Sequence, residues 1–205
     1  MKLYYTPTSP FVRKVLIAAH ELGLAERVET TLLRPSPLAP NAELSGANPL
    51  SKIPALILDD GTGLYDSRVI CEYLETLRAP GVPALVPASG PERFRTLRLQ
   101  ALCDGVLEAG ILVFYERAMR PPALHWEDWL AGQTQKVLQG LDALERECAH
   151  FGDDVDLAQV AAGATIGWLE FRNVCGDLRS SRPRLFAWYE RFSARPSMRA
   201  TVPVG

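Results

Sequence analysis

The stretch Asn48-Pro49-Leu50-Ser51-Lys52-Ile53-Pro54-Ala55-Leu56-Ile57-Leu58, followed by a short turn and Leu64-Tyr65-Asp66-Ser67, restricts what this chain can build more than any other part of it. A proline-bearing loop runs into an apolar strand, Asp60-Gly61 marks a tight turn, and a second short strand delivers Asp66 and Ser67 onto a helix start. The expectation is a β-hairpin feeding a helix N-terminus. Pro54, at the head of the strand, removes a ladder donor and keeps Ile53 extended, so that the Ile53 N–H and C=O are left to pair with something other than the sheet. Asp66 and Ser67 fall where first-turn N–H groups lack partners and the helix dipole favours negative charge. Such a corner can hold a small zwitterion, with its carboxylate on the helix N-terminus and its ammonium on Asp66. The same residues also serve if Asp66 and Ser67 only cap their helix and Pro54 only opens an edge strand.

The chain ahead of this stretch reads β-α-β. Lys2 to Tyr5 is expected as a buried strand. Ser9-Pro10 starts a helix, Ser at the cap and Pro at the first helical position, and Phe11, Val12, Val15, Leu16, Ala19 and Leu22 recur at helical spacing until Gly23. Glu29 to Leu33 is a second strand, and the loop from Arg34 to Asn48, with Pro35, Pro37 and Pro40, carries one helical turn around Ala42 to Leu44. After the hairpin, a helix from Ser67 to about Arg78 turns Val69, Ile70, Tyr73, Leu74 and Leu77 inward. A βαβ unit followed by ββα makes a compact α/β domain, residues 1–79.

Pro80, Gly81, Pro83, Pro87 and Gly90 mark a linker, residues 80–90, beyond which strand signals vanish. One long helical pattern runs from Glu92 to about Arg120, stopped by Pro121-Pro122, and another from Glu127 to about His150 places Trp129, Val137, Leu138, Leu141 and Leu144 on one face. Asp156 and Gln159 have capping-box spacing and open the apolar run Val160 to Phe171, the expected central helix of an all-α domain over 91–205. Arg184 to about Phe192 supplies one more helix.

A length of 205 residues with 47% hydrophobic content suffices for a full core. Lys+Arg 22 against Asp+Glu 24 gives a net charge of −2, which argues against nucleic acid as a partner. Cys71, Cys103, Cys148 and Cys175 form no C-x-x-C pair and have no histidine at metal spacing, so neither a disulfide framework nor a metal site is expected. The start of the sequence goes directly into a strand without a signal-peptide pattern, and no apolar run is long enough to span a bilayer, so a cytoplasmic protein that does not enter the membrane is expected.

The succession of βαβ-ββα with Ile-Pro before the hairpin and Asp-Ser after it, a proline-rich linker and a helical domain with a capped central helix resembles the glutathione S-transferase family. The resemblance covers essentially the whole chain and rests most on Ser9-Pro10-Phe11 with Arg13, on Asn48 to Pro54, and on Asp66-Ser67. It is closest to bacterial members of the YibF-like type, to which Ala101 to Gly105 and Tyr115-Glu116-Arg117 are also similar. The resemblance implies a thioredoxin-like N-terminal domain that binds glutathione, an all-α domain that supplies most of the electrophile pocket, and a homodimer. It further implies a cis Pro54, an Ile53 backbone paired with the cysteinyl part of glutathione, Asp66 and Ser67 on the γ-glutamyl end, and Lys52 near the glycine carboxylate. Asp104 is a candidate for the border of the same site, or an ordinary polar helix residue. One departure is that the central-helix cap is Asp156 with Gln159, where the family usually has Ser or Thr followed by Asp.

In serine-type members a hydroxyl faces the glutathione thiol, and Ser9 occupies that position here. A thiol has a pKa of about 8.5, and lowering it by roughly two units needs close to 3 kcal/mol of extra stabilisation for the anion. A hydrogen bond to a charged group is worth about 1.5–3 kcal/mol and a helix N-terminus about 0.3–1, so one hydroxyl at the first helix start is of the right size. Capping the helix is the competing use of Ser9, and Thr8 and Tyr5 are substitute hydroxyls. Phe11, Tyr115 and Trp168 are candidates for the electrophile pocket, although aromatic residues at this spacing also fill cores. Arg13 is expected to salt-bridge within its own domain. The reading that follows is a glutathione transferase that uses glutathione as co-substrate and a small electrophile, without metal or tightly bound cofactor. Its rivals are a non-catalytic regulator of this fold that binds protein, as the stringent-starvation regulators do, and a glutathione-dependent isomerase or dehalogenase.

Overall fold

In the computed structural model, which describes residues 1–39 and 41–205, strand β1 (Lys2–Tyr5) lies at the centre of a small sheet. Pro40, expected in the loop before the hairpin, lies outside the described residues. Strand order is β2-β1-β3-β4, with β2 (Glu29–Leu32) parallel to β1, and β3 (Ala55–Ile57) and β4 (Gly63–Leu64) adding antiparallel. The ladder ends one residue earlier than the Leu33 expected, although the Leu33 amide still donates to the Tyr5 carbonyl.

Alternation along β1 sorts its two faces. Leu3, opposite Leu56 in register, joins the core beneath α1 (Pro10–Glu21) and α3 (Ser67–Thr76), whereas Tyr4 packs with Ala55 and with Leu44 of α2 (Ala42–Ala47) on the other face. Helices thus cover both sides of the sheet, a thioredoxin-like arrangement. The helical turn expected at Ala42 is a six-residue helix capped by Asn41.

One expectation for α3 fails. Val69 is 47% exposed, because the face turned to the sheet and α1 is the i, i+3, i+4, i+7 set Ser67, Ile70, Cys71 and Leu74. Val69 lies about 100° round the helix from Ile70. With Leu97 and Gln100 it lines an open apolar hollow instead.

Residues 91–205 are helical throughout their regular structure. Helix α4 (Gly90–Met119) packs along α5 (Glu127–Glu147) and α6 (Leu157–Arg172). The sequence spacing at Asp156 becomes a formed capping box: the Gln159 amide donates to Asp156 Oδ1 at 2.8 Å, and the Asp156 amide donates to Gln159 Oε1 at 2.9 Å. From Leu157 to Leu169 every residue of α6 is buried, which makes it the central helix. Helix α7 (Pro183–Ser193) is followed by α8 (Pro196–Ala200), a short helix the sequence reading missed although Pro196 is a helix-start residue. It packs on α1, where Arg195 holds Glu21 at 2.8 and 2.9 Å.

Cys71, Cys103, Cys148 and Cys175 are free thiols. Among the described residues no helix is long and apolar enough to cross a membrane.

Candidate functional site

The loop before β3 is held from within by Asn48, which is buried. Its side-chain amide donates to the Lys52 carbonyl at 2.8 Å and its Oδ1 accepts from the Leu50 amide at 3.0 Å. Ser51 takes a left-handed conformation, φ +53°, and the Ile53–Pro54 peptide is cis. Ile53 therefore approaches the sheet without joining it: β3 begins at Ala55, and the Ile53 N–H and C=O have no partner among the described residues. Lys52 is exposed beside it.

Where β4 passes into α3, Asp66 is the N-cap and accepts from the Arg68 amide at 2.9 Å. The Arg68 guanidinium folds back onto the same carboxylate, 2.8 Å from Nη2 to Oδ2. Partial burial alone would raise the Asp66 carboxyl, but the Arg68 side-chain and backbone bonds outweigh it and hold it below the ordinary value. Ser67 is buried just behind, and its hydroxyl has no partner among the described residues.

Arg68 also stands 3.8 Å from Asp104 of α4, whose carboxylate is in turn gripped by Lys14 of α1 at 2.6 and 2.9 Å. Asp104 and Lys14 are both buried, and burial pushes the Asp104 carboxyl up against the pull of Lys14. Asp104 thus connects to the Asp66 corner through Arg68. Lys14 and Arg68 were missed in the sequence. A signal for Lys14 existed, since it lies between Phe11 and Ile17 on a helix face that is otherwise apolar, but its partner is far away in the chain.

Ser9 is partly buried at the N-cap of α1 and accepts from the Val12 amide at 3.3 Å, a long bond that leaves its proton available. Along α1 from Ser9, Arg13 departs from the expected intradomain salt bridge. It is buried, donates to the Met198 carbonyl at 3.3 Å, and lies against Gly167 of α6 so closely that any Cβ there would collide with its guanidinium. The N-terminal turns of α1 are thus pressed against the C-terminal half of α6. Of the aromatic candidates, Phe11 is partly buried, with Lys14 Nζ 5.9 Å from its ring, and Tyr115 is 38% exposed near the end of α4. Trp168 is core, only 3% exposed and edge-on to Phe114 at 6.3 Å, so it does not face a pocket. Burial pushes the Cys71 and Cys103 thiols up to about 12, which leaves them as inert protonated groups. No group of metal-ligating side chains occurs among the described residues.

Comparison with known proteins agrees with this arrangement. Residues 8–77 match the N-terminal domain of glutathione S-transferase and residues 127–191 its C-terminal domain. The chain is 34% identical over 206 residues to the uncharacterized GST-like protein YibF of Escherichia coli K12, with 99% of this chain and 98% of that one covered. It superposes on a crystal structure of a glutathione transferase family member from Pseudomonas fluorescens Pf-5 with bound glutathione at a TM-score of 0.95 and 44% identity, covering 100% of this chain and 99% of that one. A second crystal structure from Pseudomonas fluorescens Pf-5, with bound S-(propanoic acid)-glutathione, gives a TM-score of 0.90 and 43% identity over 99% of each chain. A thioredoxin-like half, an all-helical half and full-length similarity at this level lead to one conclusion: the chain belongs to the glutathione S-transferase family.

Proposed function

We propose that the protein is a glutathione transferase that joins the glutathione sulfur to a small electrophile, with residues 1–79 holding glutathione, 80–90 as linker and 91–205 forming most of the electrophile pocket. The observation that carries this reading is the free backbone of Ile53 beside Pro54, at the same end of the antiparallel β3–β4 pair as the Asp66-Ser67 helix start. In this reading Ile53 pairs with the cysteinyl unit, Asp66 and Ser67 take the γ-glutamyl ammonium and carboxylate, and Lys52 meets the glycine carboxylate. Glutathione and S-(propanoic acid)-glutathione in the Pseudomonas fluorescens relatives support it.

Ser9 then donates its hydroxyl proton in a hydrogen bond to the thiolate, whose own proton has passed to solvent. The sulfur lone pair forms the C–S bond. The displaced pair leaves with the leaving group or, on an activated alkene, moves to the adjacent carbon, which takes a proton from water. Phe11 and Tyr115 border the electrophile.

The exposed Val69, with Leu97 and Gln100, gives the α3–α4 face an apolar hollow of about 300 Å³ suited to a second copy of the chain, so the reading includes a homodimer. Four unpaired thiols suit a reducing compartment such as the cytoplasm.

Calorimetric titration with reduced glutathione tests the site. Binding that is weakened about ten-fold in Asp66→Asn or Ser67→Ala supports it, and no binding at millimolar glutathione turns the reading to a protein-binding regulator. Thiol consumption then separates the chemistries: one thiol per product marks conjugation, none marks an isomerase or a dehalogenase that regenerates glutathione.

A further inference from the structure

Arg172 ends α6 with its guanidinium 4.6 Å from the Phe114 ring centroid and 4.8 Å from that of Phe171. Its Nε is buried without a hydrogen-bond partner, and among the described residues no carboxylate pairs with the group. Arg68, Arg195 and Arg184 are paired with Asp66, Glu21 and Glu145, and the buried Arg13, which likewise lacks a carboxylate, donates to the Met198 carbonyl. The acid nearest in sequence, Glu170, is taken by Arg179 at 2.6 Å. Two aromatic faces hold Arg172 in place while its donors are left over.

Its position bears on the chemistry. Gly205 packs between Thr8 and Phe171, with an added Cβ standing 3.0 Å from Thr8 Cγ2 and 3.2 Å from the Phe171 ring. Gly205 thus lies between the Phe171 ring and Thr8, the residue before Ser9, and Phe114 lies beside Tyr115, ring centroids 5.8 Å apart. Arg172 therefore sits where the ends of α4 and α6 meet, with Tyr115 next to one of its aromatic partners and Thr8 reached from the other across Gly205. A planar guanidinium with free parallel donors is matched best by a carboxylate, and partial exclusion of water strengthens the pair.

We propose that Arg172 selects electrophiles that carry a carboxylate, binding that group while the thiolate near Ser9 attacks a carbon a short distance from it. This rests on the glutathione transferase reading above. It adds a substrate class: small organic acids with a leaving group or activated double bond, in preference to neutral analogues of the same shape.

The test measures affinities of glutathione, S-(2-carboxyethyl)glutathione and S-propylglutathione for the wild type and for Arg172→Met, whose stem still fills the space between Phe114 and Phe171. The wild type is expected to bind the carboxyethyl conjugate roughly ten-fold more tightly than the propyl conjugate, with the preference lost in Arg172→Met and only partly kept in Arg172→Lys. Equal affinity of the wild type for both conjugates overturns the proposal while glutathione binding upholds the transferase reading. A preference that survives in Arg172→Met also overturns it. Failure of the wild type to bind any of the three overturns both readings. The wild-type comparison needs no variant, so a misfolded Arg172→Met leaves the proposal decidable.

Discussion

Lys14 and Asp104 close an ion pair, Nζ to Oδ1 2.6 Å, at the seam where the first helix of the α/β half meets the long helix of the other half. Lys14 is 0% and Asp104 3% exposed, so each charge depends on the other for compensation. Removing one partner of such a pair typically costs about 3–5 kcal/mol, whereas replacing both with apolar groups is often neutral or better. Lys14→Met alone is expected to lower stability by about that much in urea unfolding, and Lys14→Met/Asp104→Leu to recover most of the loss. A single variant within about 1 kcal/mol of the wild type would show that the pair is not held dry.

Ser9→Ala tests the thiolate assignment. One hydrogen bond to a charged group corresponds to roughly 10- to 100-fold in rate, so kcat should fall by that factor while glutathione affinity stays nearly the same. Thr8→Ala should leave kcat within about two-fold, being next to the site without a comparable cap position. Unchanged turnover in Ser9→Ala sinks the role of Ser9.

Glutathione affinity should fall about ten-fold in Asp66→Asn, if its carboxylate meets the γ-glutamyl ammonium. Arg68 holds the Asp66 carboxyl below its ordinary value in spite of partial burial, so the group stays ionised as the solution is made weakly acidic. Affinity is therefore expected to stay flat from neutral pH down to the usual aspartate value of about 3.9 and to drop only below it. A calorimetric series that already declines between about pH 6 and 5 would point to another titrating group.

Acid stability carries a separate signature from Glu21. Burial alone would raise this carboxyl, but the Arg195 and Ser197 hydrogen bonds outweigh it and its native value lies below the ordinary one. A depressed carboxyl contributes stability that is fully present above its unfolded value, about 4.3, and is lost as pH falls through the lower native value. Glu21→Gln should therefore be less stable than the wild type at neutral pH, with the gap closing below about pH 4 in thermal melts.

Elements bounded by strong local signals were legible in the sequence. Ser9-Pro10, Asp60-Gly61 and the Asp156–Gln159 pair each fix the backbone through groups a few residues apart, and each is found where expected. The same holds for the Ile53 backbone, freed by the proline after it. What was not legible depends on residues that meet only in three dimensions. Arg13 was expected to pair within its own half because its contacts, Met198 and Gly167, are far along the chain. Val69 has the apolar character of a core residue, but whether anything covers that face of α3 is a question of packing that helical spacing does not answer. Lys14 and Asp104 are ordinary charges until the two halves come together.

The contacts of α1 also limit what can be exchanged between relatives. The helix that begins at Ser9 belongs to the α/β half by connectivity, yet Arg13 and Lys14 spend their hydrogen bonds on the helical half. Grafting a foreign helical half onto residues 1–79 would strand both cations unless Asp104, Gly167 and the Met198 carbonyl came with it. Recombination between the α/β and the helical half is thus constrained by a matched set of residues.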